Sequence, residues 1–191
     1  MIPTPRLSSS WLLTLAAATM GCRGAEEGAR RDVPMPTPRP VAEILQIEDD
    51  TEFAIAMSDL VFSREAAVGY QQLTPPERVV FCLDALEREV NNGGFAQFFE
   101  NSAGDHALET IEALRTLGAP RVARLVAEAV AVFPDGPAPD RERWRRQLDR
   151  LDDRARAKLD QLDGAFYAYP ENLTALERRY VRSHQEQFHM P

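Results

Sequence analysis

The 191-residue chain is poor in the residues that build disulfide, metal and phosphate sites: it has two cysteines, Cys22 and Cys82, three histidines, and Lys158 as its only lysine. Two cysteines outside any CxxC pair make no disulfide framework, and so few histidines leave no cysteine/histidine cluster for structural zinc. No apolar run approaches the roughly 20 residues that a membrane-spanning helix needs. Fourteen prolines and ten glycines without a period exclude a collagen or a low-complexity polymer. No stretch alternates with period two for long enough to be a strand. A nucleophile elbow is missing, and Gly93-Gly94 lacks the Lys-Ser/Thr of a phosphate-cradling loop. His184 and His189 stand five apart, on different faces of a helix, unlike the i,i+4 pair of a metalloprotease. What is present is 44% hydrophobic and 27% charged residues, enough for one packed domain, with no cofactor or metal implied.

Charge is unevenly placed. Residues 41–112 hold 15 acidic and 3 basic side chains, a net of −12, whereas 113–191 hold 12 acidic and 14 basic, a net of +2. Such an acidic half disfavours direct binding to nucleic acid or anionic lipid and favours a basic protein partner.

The N-terminus reads as an address. Arg6 is followed by the ten-residue apolar run Trp11–Met20 and then Gly21-Cys22, the order of a secretory signal peptide over residues 1–22. The end of the run resembles a bacterial lipobox, with Thr19 where an aliphatic residue is usual; it marks Cys22 for lipidation and the chain as a membrane-anchored lipoprotein of the cell envelope. Residues 23–40, with alternating prolines from Pro34 to Pro40, read as an extended tether. Translation from Met20 or Met35 would instead leave the protein cytoplasmic.

From residue 41 to 191 the pattern is helical, and the expectation is an all-α fold: one compact domain of about six helices. Phe53, Met57, Leu60 and Arg64 form the stripe of a helix over about 51–71. Thr74, Pro75 and Glu77 spell a capping box for a second helix that buries Val79, Leu83, Leu86 and Val90 and turns Glu77, Asp84 and Arg88 outward. Cys82 reads as a buried small hydrophobe. A third helix carries Leu108, Ile111 and Leu114 inward and stops at Gly118. The fourth spans Pro120 to Phe133, the fifth about Asp140 to Leu162 with a solvated, arginine-rich outer face, and the last about Glu171 to Phe188 with His184 on its apolar stripe.

The second helix ends at Asn91-Asn92-Gly93-Gly94, followed by Phe95, Phe98 and Phe99 with Gln97 and Asn101 one turn apart. This composition predicts a sharp corner pinned by phenylalanines, with the amides satisfying the exposed backbone ends. The stretch EVNNGGFAQFFENSAG, the helix ending in ALRTLGA and the block FYAYPENLTALERRYVRSHQEQF together resemble the C-terminal domain of the bacterial DNA-mimic protein family over about 73–188. The signature falls on Glu89, Asn91, Asn92, Gly93, Gly94, Phe95, Gln97, Phe98, Phe99, Asn101 and Ser102. The resemblance implies an acidic helical protein whose carboxylates imitate phosphates on the DNA-binding face of a basic partner, with no catalysis and no cofactor. Mimicry needs a dense, one-signed array, since duplex DNA carries a charge every ~1.7 Å of its axis. Glu77, Asp84, Glu87, Glu100, Asp105, Glu109 and Glu112 are the candidate surface acids within the resembling stretch. The expected function is therefore non-enzymatic: an envelope-tethered helical domain binding a protein whose identity the sequence does not give. A cytoplasmic DNA mimic blocking a basic regulator is the first alternative, and an enzyme using the Asn/Gln corner the second.

Overall fold

The computed structural model describes residues 37–191 apart from 137 and 139. The signal peptide and Cys22 lie outside the described residues, as does the tether up to residue 36. The described residues form eight α-helices and three short 3-10 turns, with no strand among them. The helices are α1 (Val41–Ile44), α2 (Asp50–Val68), α3 (Pro75–Glu100), α4 (Ala107–Leu117), α5 (Pro120–Val130), α6 (Arg141–Asp149), α7 (Asp153–Tyr167) and α8 (Leu173–Ser183). The all-α expectation holds.

α3 is the central element and packs against α2, α4, α6 and α7. It begins where its sequence says it should. The Thr74 hydroxyl accepts from the Glu77 amide, the Glu77 carboxylate accepts from the Thr74 amide, and Pro75 occupies the first turn, where no intrahelical donor is lost. Because helices cover α3 on most sides, its first arm is buried almost continuously from Val79 to Leu86. Glu77 and Asp84, expected to face outward, are therefore buried at 1% and 9% exposure. Glu77 is also covered by the C-terminal tail: the His189 amide donates to its Oε1 at 2.8 Å, and the Thr74 hydroxyl donates to the Gln187 carbonyl at 2.9 Å. Arg88 does point outward.

The expected fifth helix is two. α6 stops at Asp149, and Asp152 opens α7 by accepting from the Ala155 amide at 2.7 Å. Leu151 plugs the core at the break, while the Arg156 guanidinium donates to the carbonyls of Leu151 and Leu148. Two backbone acceptors freed by the interruption are thus satisfied without a continuous helix. With this split and the one-turn α1, about six helices become eight. In α4 the buried face is Ala107, Thr110, Ile111, Ala113, Leu114 and Leu117, and Leu108, expected inside, stands one residue off the Ala107–Ile111–Leu114 line at 52% exposure. Gly118 closes α4 in the left-handed conformation, as expected. α5 is shorter than expected and ends at Val130, yet Phe133 remains buried beyond it. α8 ends at Ser183, where His184 is half-buried with its Nδ1 2.8 Å from the Tyr180 carbonyl, and Phe188 re-enters the core after a 3-10 turn.

A corner in the central helix

The candidate site is the corner within α3. Gly93 (φ −161°, ψ 27°) and Gly94 (φ 73°, ψ −175°) leave helical geometry, and a new helical arm starts at Phe95. Only glycine adopts the Gly94 conformation at low cost. Contact reinforces the requirement, because a Cβ on Gly94 would lie 2.2 Å from Asp163 Oδ2 and one on Gly93 would lie 2.2 Å from Gln97 Oε1.

The new arm exposes unpaired amide hydrogens at its start, and Asp163 of α7 fills that role: its Oδ1 accepts from the Phe95 amide at 2.8 Å. Burial pushes the Asp163 carboxyl up and the Phe95 hydrogen bond opposes the rise. Sequence reasoning missed Asp163, which sits 68 residues away from Phe95 in a surface-like charge pattern. One turn further along α7 the Tyr167 hydroxyl donates to the Val90 carbonyl at 2.9 Å, satisfying an acceptor that the break releases.

The amides do something different from what was expected. Gln97 and Asn101 donate to the same oxygen, Glu89 Oε2, at 2.9 and 2.8 Å, instead of to the backbone. Glu89 lies before the corner and both amides after it, so this three-residue bracket fixes the angle between the two arms. Asn91 donates to the Tyr169 hydroxyl at 2.7 Å. Tyr169, in the turn between α7 and α8, holds a positive φ of 44°, unusual for a residue with a Cβ. Asn92 and Ser102 are exposed, and neither side chain has a hydrogen bond among the described residues.

The phenylalanines pin the corner as expected. Phe95, Phe98 and Phe99 are fully buried. Phe95 meets Phe166 edge-on at 6.0 Å, and Phe99 packs against Phe133 at 4.8 Å and Trp144 at 4.6 Å. Gly104 allows the following turn to press on this arm, since a Cβ there would come within 2.8 Å of the Phe98 carbonyl and of Phe99 Cα.

The acidic candidates do not gather at one place. Glu77 and Asp84 are buried, and Glu87 is half-buried, with burial pushing its carboxyl up to about 7 while the neighbouring Tyr169 hydroxyl opposes the rise. Asp105 faces Arg141 at 3.8 Å and Glu112 pairs with Arg115, while Glu100 and Glu109 are exposed with no ion pair among the described residues. Cys82 is buried, as expected, and burial pushes its thiol up, the opposite of an activated nucleophile. Among the described residues no group of three or more His, Cys, Asp or Glu could hold a metal ion.

No curated protein and no solved structure matches this chain. A family model described as "DMP19-like protein" matches residues 71–184, from just before the Thr74 cap through the corner to the end of α8, which is more than half of the chain. With the corner signature inside that match, the chain belongs to the DMP19-like protein family.

Proposed function

We propose that this is a non-enzymatic, helical protein-binding domain, carried as a lipoprotein at the cell envelope, with the outer surface of the α3 corner as its contact. The observation behind this reading is the bracket of Glu89, Gln97 and Asn101. It uses the polar groups that a catalytic pocket would need free, and it holds Asn92, Glu100 and Ser102 outward on a rigid, glycine-shaped knuckle. Rigid surfaces lose little conformational entropy on docking, which favours recognition. The DMP19-like family is a DNA-mimic family and not an established enzyme family, which supports a protein partner over a small-molecule substrate.

Photo-crosslinking from position 92 of the full-length chain in its native host tests the contact. A discrete protein adduct that is absent when the crosslinker sits at Arg124, an exposed position on α5, is the expected result. Substrate turnover lost in a folded Gln97→Ala or Asn101→Ala variant would overturn the reading in favour of an enzyme. Intact-mass measurement of the mature protein tests the address, with an acylated N-terminal Cys22 expected. An unprocessed or Met35-initiated chain would return the protein to the cytoplasm, where DNA mimicry through Glu100, Glu109 and the acidic start of α2 becomes the better account.

A further inference from the structure

A cavity of about 440 Å³ is lined by the start of α3, the outer face of α4 and the 3-10 turn Tyr70–Gln72. Its volume falls in the range of small-molecule pockets, about 300–1,000 Å³. Val79, Cys82 and Ala113 form its buried floor. The polar atoms there face each other, with the Tyr70 hydroxyl 3.5 Å from Cys82 Sγ. Burial, the main cause for both groups, pushes the hydroxyl and the thiol up, so both are neutral at physiological pH. The floor is therefore apolar and uncharged, and Leu108, 52% exposed, stands at its edge. The cavity shares no residue with the α3 corner.

Three charged side chains line this cavity: Arg78, Glu109 and Glu112. Glu112 is paired with Arg115, one turn along α4. Neither Arg78 nor Glu109 has an ion-pair partner among the described residues. Arg78 is nevertheless held in place. Its Nε donates to the Leu73 carbonyl at 3.1 Å, its Nη2 donates to the Gln71 carbonyl at 2.7 Å, and the guanidinium carbon lies 5.5 Å from the centre of the Tyr70 ring. These contacts leave Nη1 without a hydrogen bond among the described residues, on a planar group that has little conformational freedom left to lose. Glu109 comes from the first turn of α4. A fixed cation and an unpaired carboxylate thus share the lining of one cavity with an apolar floor.

We propose that this cavity binds a small zwitterion with an apolar side chain, the chemistry of a free apolar α-amino acid. The ligand carboxylate accepts from Arg78 Nη1, its ammonium donates to the Glu109 carboxylate, and its side chain packs on Val79, Cys82 and Ala113 under Leu108. A ligand with only a positive charge leaves Arg78 uncompensated and is repelled by it, and one with only a negative charge meets the same problem at Glu109. Only a ligand carrying both signs answers both residues. An internal peptide segment is a poorer fit, since its backbone carries neither charge.

The roles separate by substitution. A hydrogen bond to a charged group is worth about a tenfold change in affinity or more, so Glu109→Gln should weaken the zwitterion by about that factor. The same variant leaves a carboxylate-only analogue unharmed, because that analogue has no ammonium to lose. Glu109 is exposed and unpaired among the described residues, so the change does not threaten the fold. Leu108→Ser removes the apolar cover from the ligand, while the exposure of Leu108 keeps the ligand-free protein as stable as before.

The test is isothermal titration calorimetry of the full-length chain with L-leucine, 4-methylpentanoate and 3-methylbutylamine, the second lacking the amine of leucine and the third its carboxylate. Saturable L-leucine binding is expected, with each analogue about tenfold weaker, and with a thermal midpoint that rises when L-leucine is present. Glu109→Gln should bind L-leucine about tenfold more weakly and 4-methylpentanoate no more weakly than the wild type. Leu108→Ser should lose affinity for L-leucine at an unchanged ligand-free midpoint. No saturable L-leucine binding, equal binding of the three compounds, or a Glu109→Gln variant that binds L-leucine like the wild type would overturn the proposal. So would a preference for 3-methylbutylamine, which would make this a site for organic cations, or for 4-methylpentanoate, which would leave Arg78 acting alone on an anion.

Discussion

At the scale of single residues, the corner separates conformational from contact requirements. Gly94→Ala places a side chain in a backbone region that costs about 1–3 kcal/mol and drives its Cβ into Asp163. Gly93→Ala has an extended φ of −161° and meets the Gln97 side chain from its Cβ to its Oε1, so its loss reflects the displaced Gln97 and its hydrogen bond to Glu89, about 1 kcal/mol. Chemical denaturation should rank Gly94→Ala clearly below Gly93→Ala in stability, and equal losses would count against the assigned strain. Asp163 offers a second contrast. Asp163→Asn retains an oxygen for the Phe95 amide and should be nearly neutral, whereas Asp163→Ala orphans that donor at about 1–3 kcal/mol. Asn92→Ala, which removes no hydrogen bond, should change stability by less than about 0.5 kcal/mol, so any loss of crosslinked partner in that variant reports recognition and not folding.

At the scale of helices, the legible parts were those governed by local rules. The start of α3 was readable from Thr74, Pro75 and Glu77, because a capping box is closed within four residues, and the break at Asn91–Gly94 was readable because two glycines have little other use there. The interruption between α6 and α7 was not readable. Asp152 and Asp153 fit the charge-laced outer face of a continuous helix equally well, and only the burial of Leu151 and the Arg156 bonds to freed carbonyls select the cap. Asp152→Ala should therefore cost about 1 kcal/mol, as at other N-caps, measured as a shift in denaturation midpoint. A neutral result would mean that the chain can run on as one helix. Leu108 makes the converse case: its helical spacing matched the core, but its neighbours on α4 took the buried positions. Leu108→Ser should be tolerated within about 0.5 kcal/mol.

At the scale of the whole molecule, what matters is which side of a helix gets covered. The aromatic cluster of Phe99, Phe133 and Trp144 joins the second arm of α3, the segment just after α5, and α6, so Trp144→Ala should cost about 3–5 kcal/mol and loosen the corner with it. A smaller loss would show that α6 is peripheral to the corner. The sequence by itself determined the helical class, the capped start of the central helix, its corner and the phenylalanines that bury there, because propensity, capping and hydrophobic period act within a few residues. It could not decide that Glu77 and Asp84 lie inside, that Glu89 brackets Gln97 and Asn101, or that Asp163 and Tyr169 close the corner from another helix and turn. Those depend on contacts between residues tens of positions apart: a polar face is solvated until another element covers it, and only the assembled fold determines which one does.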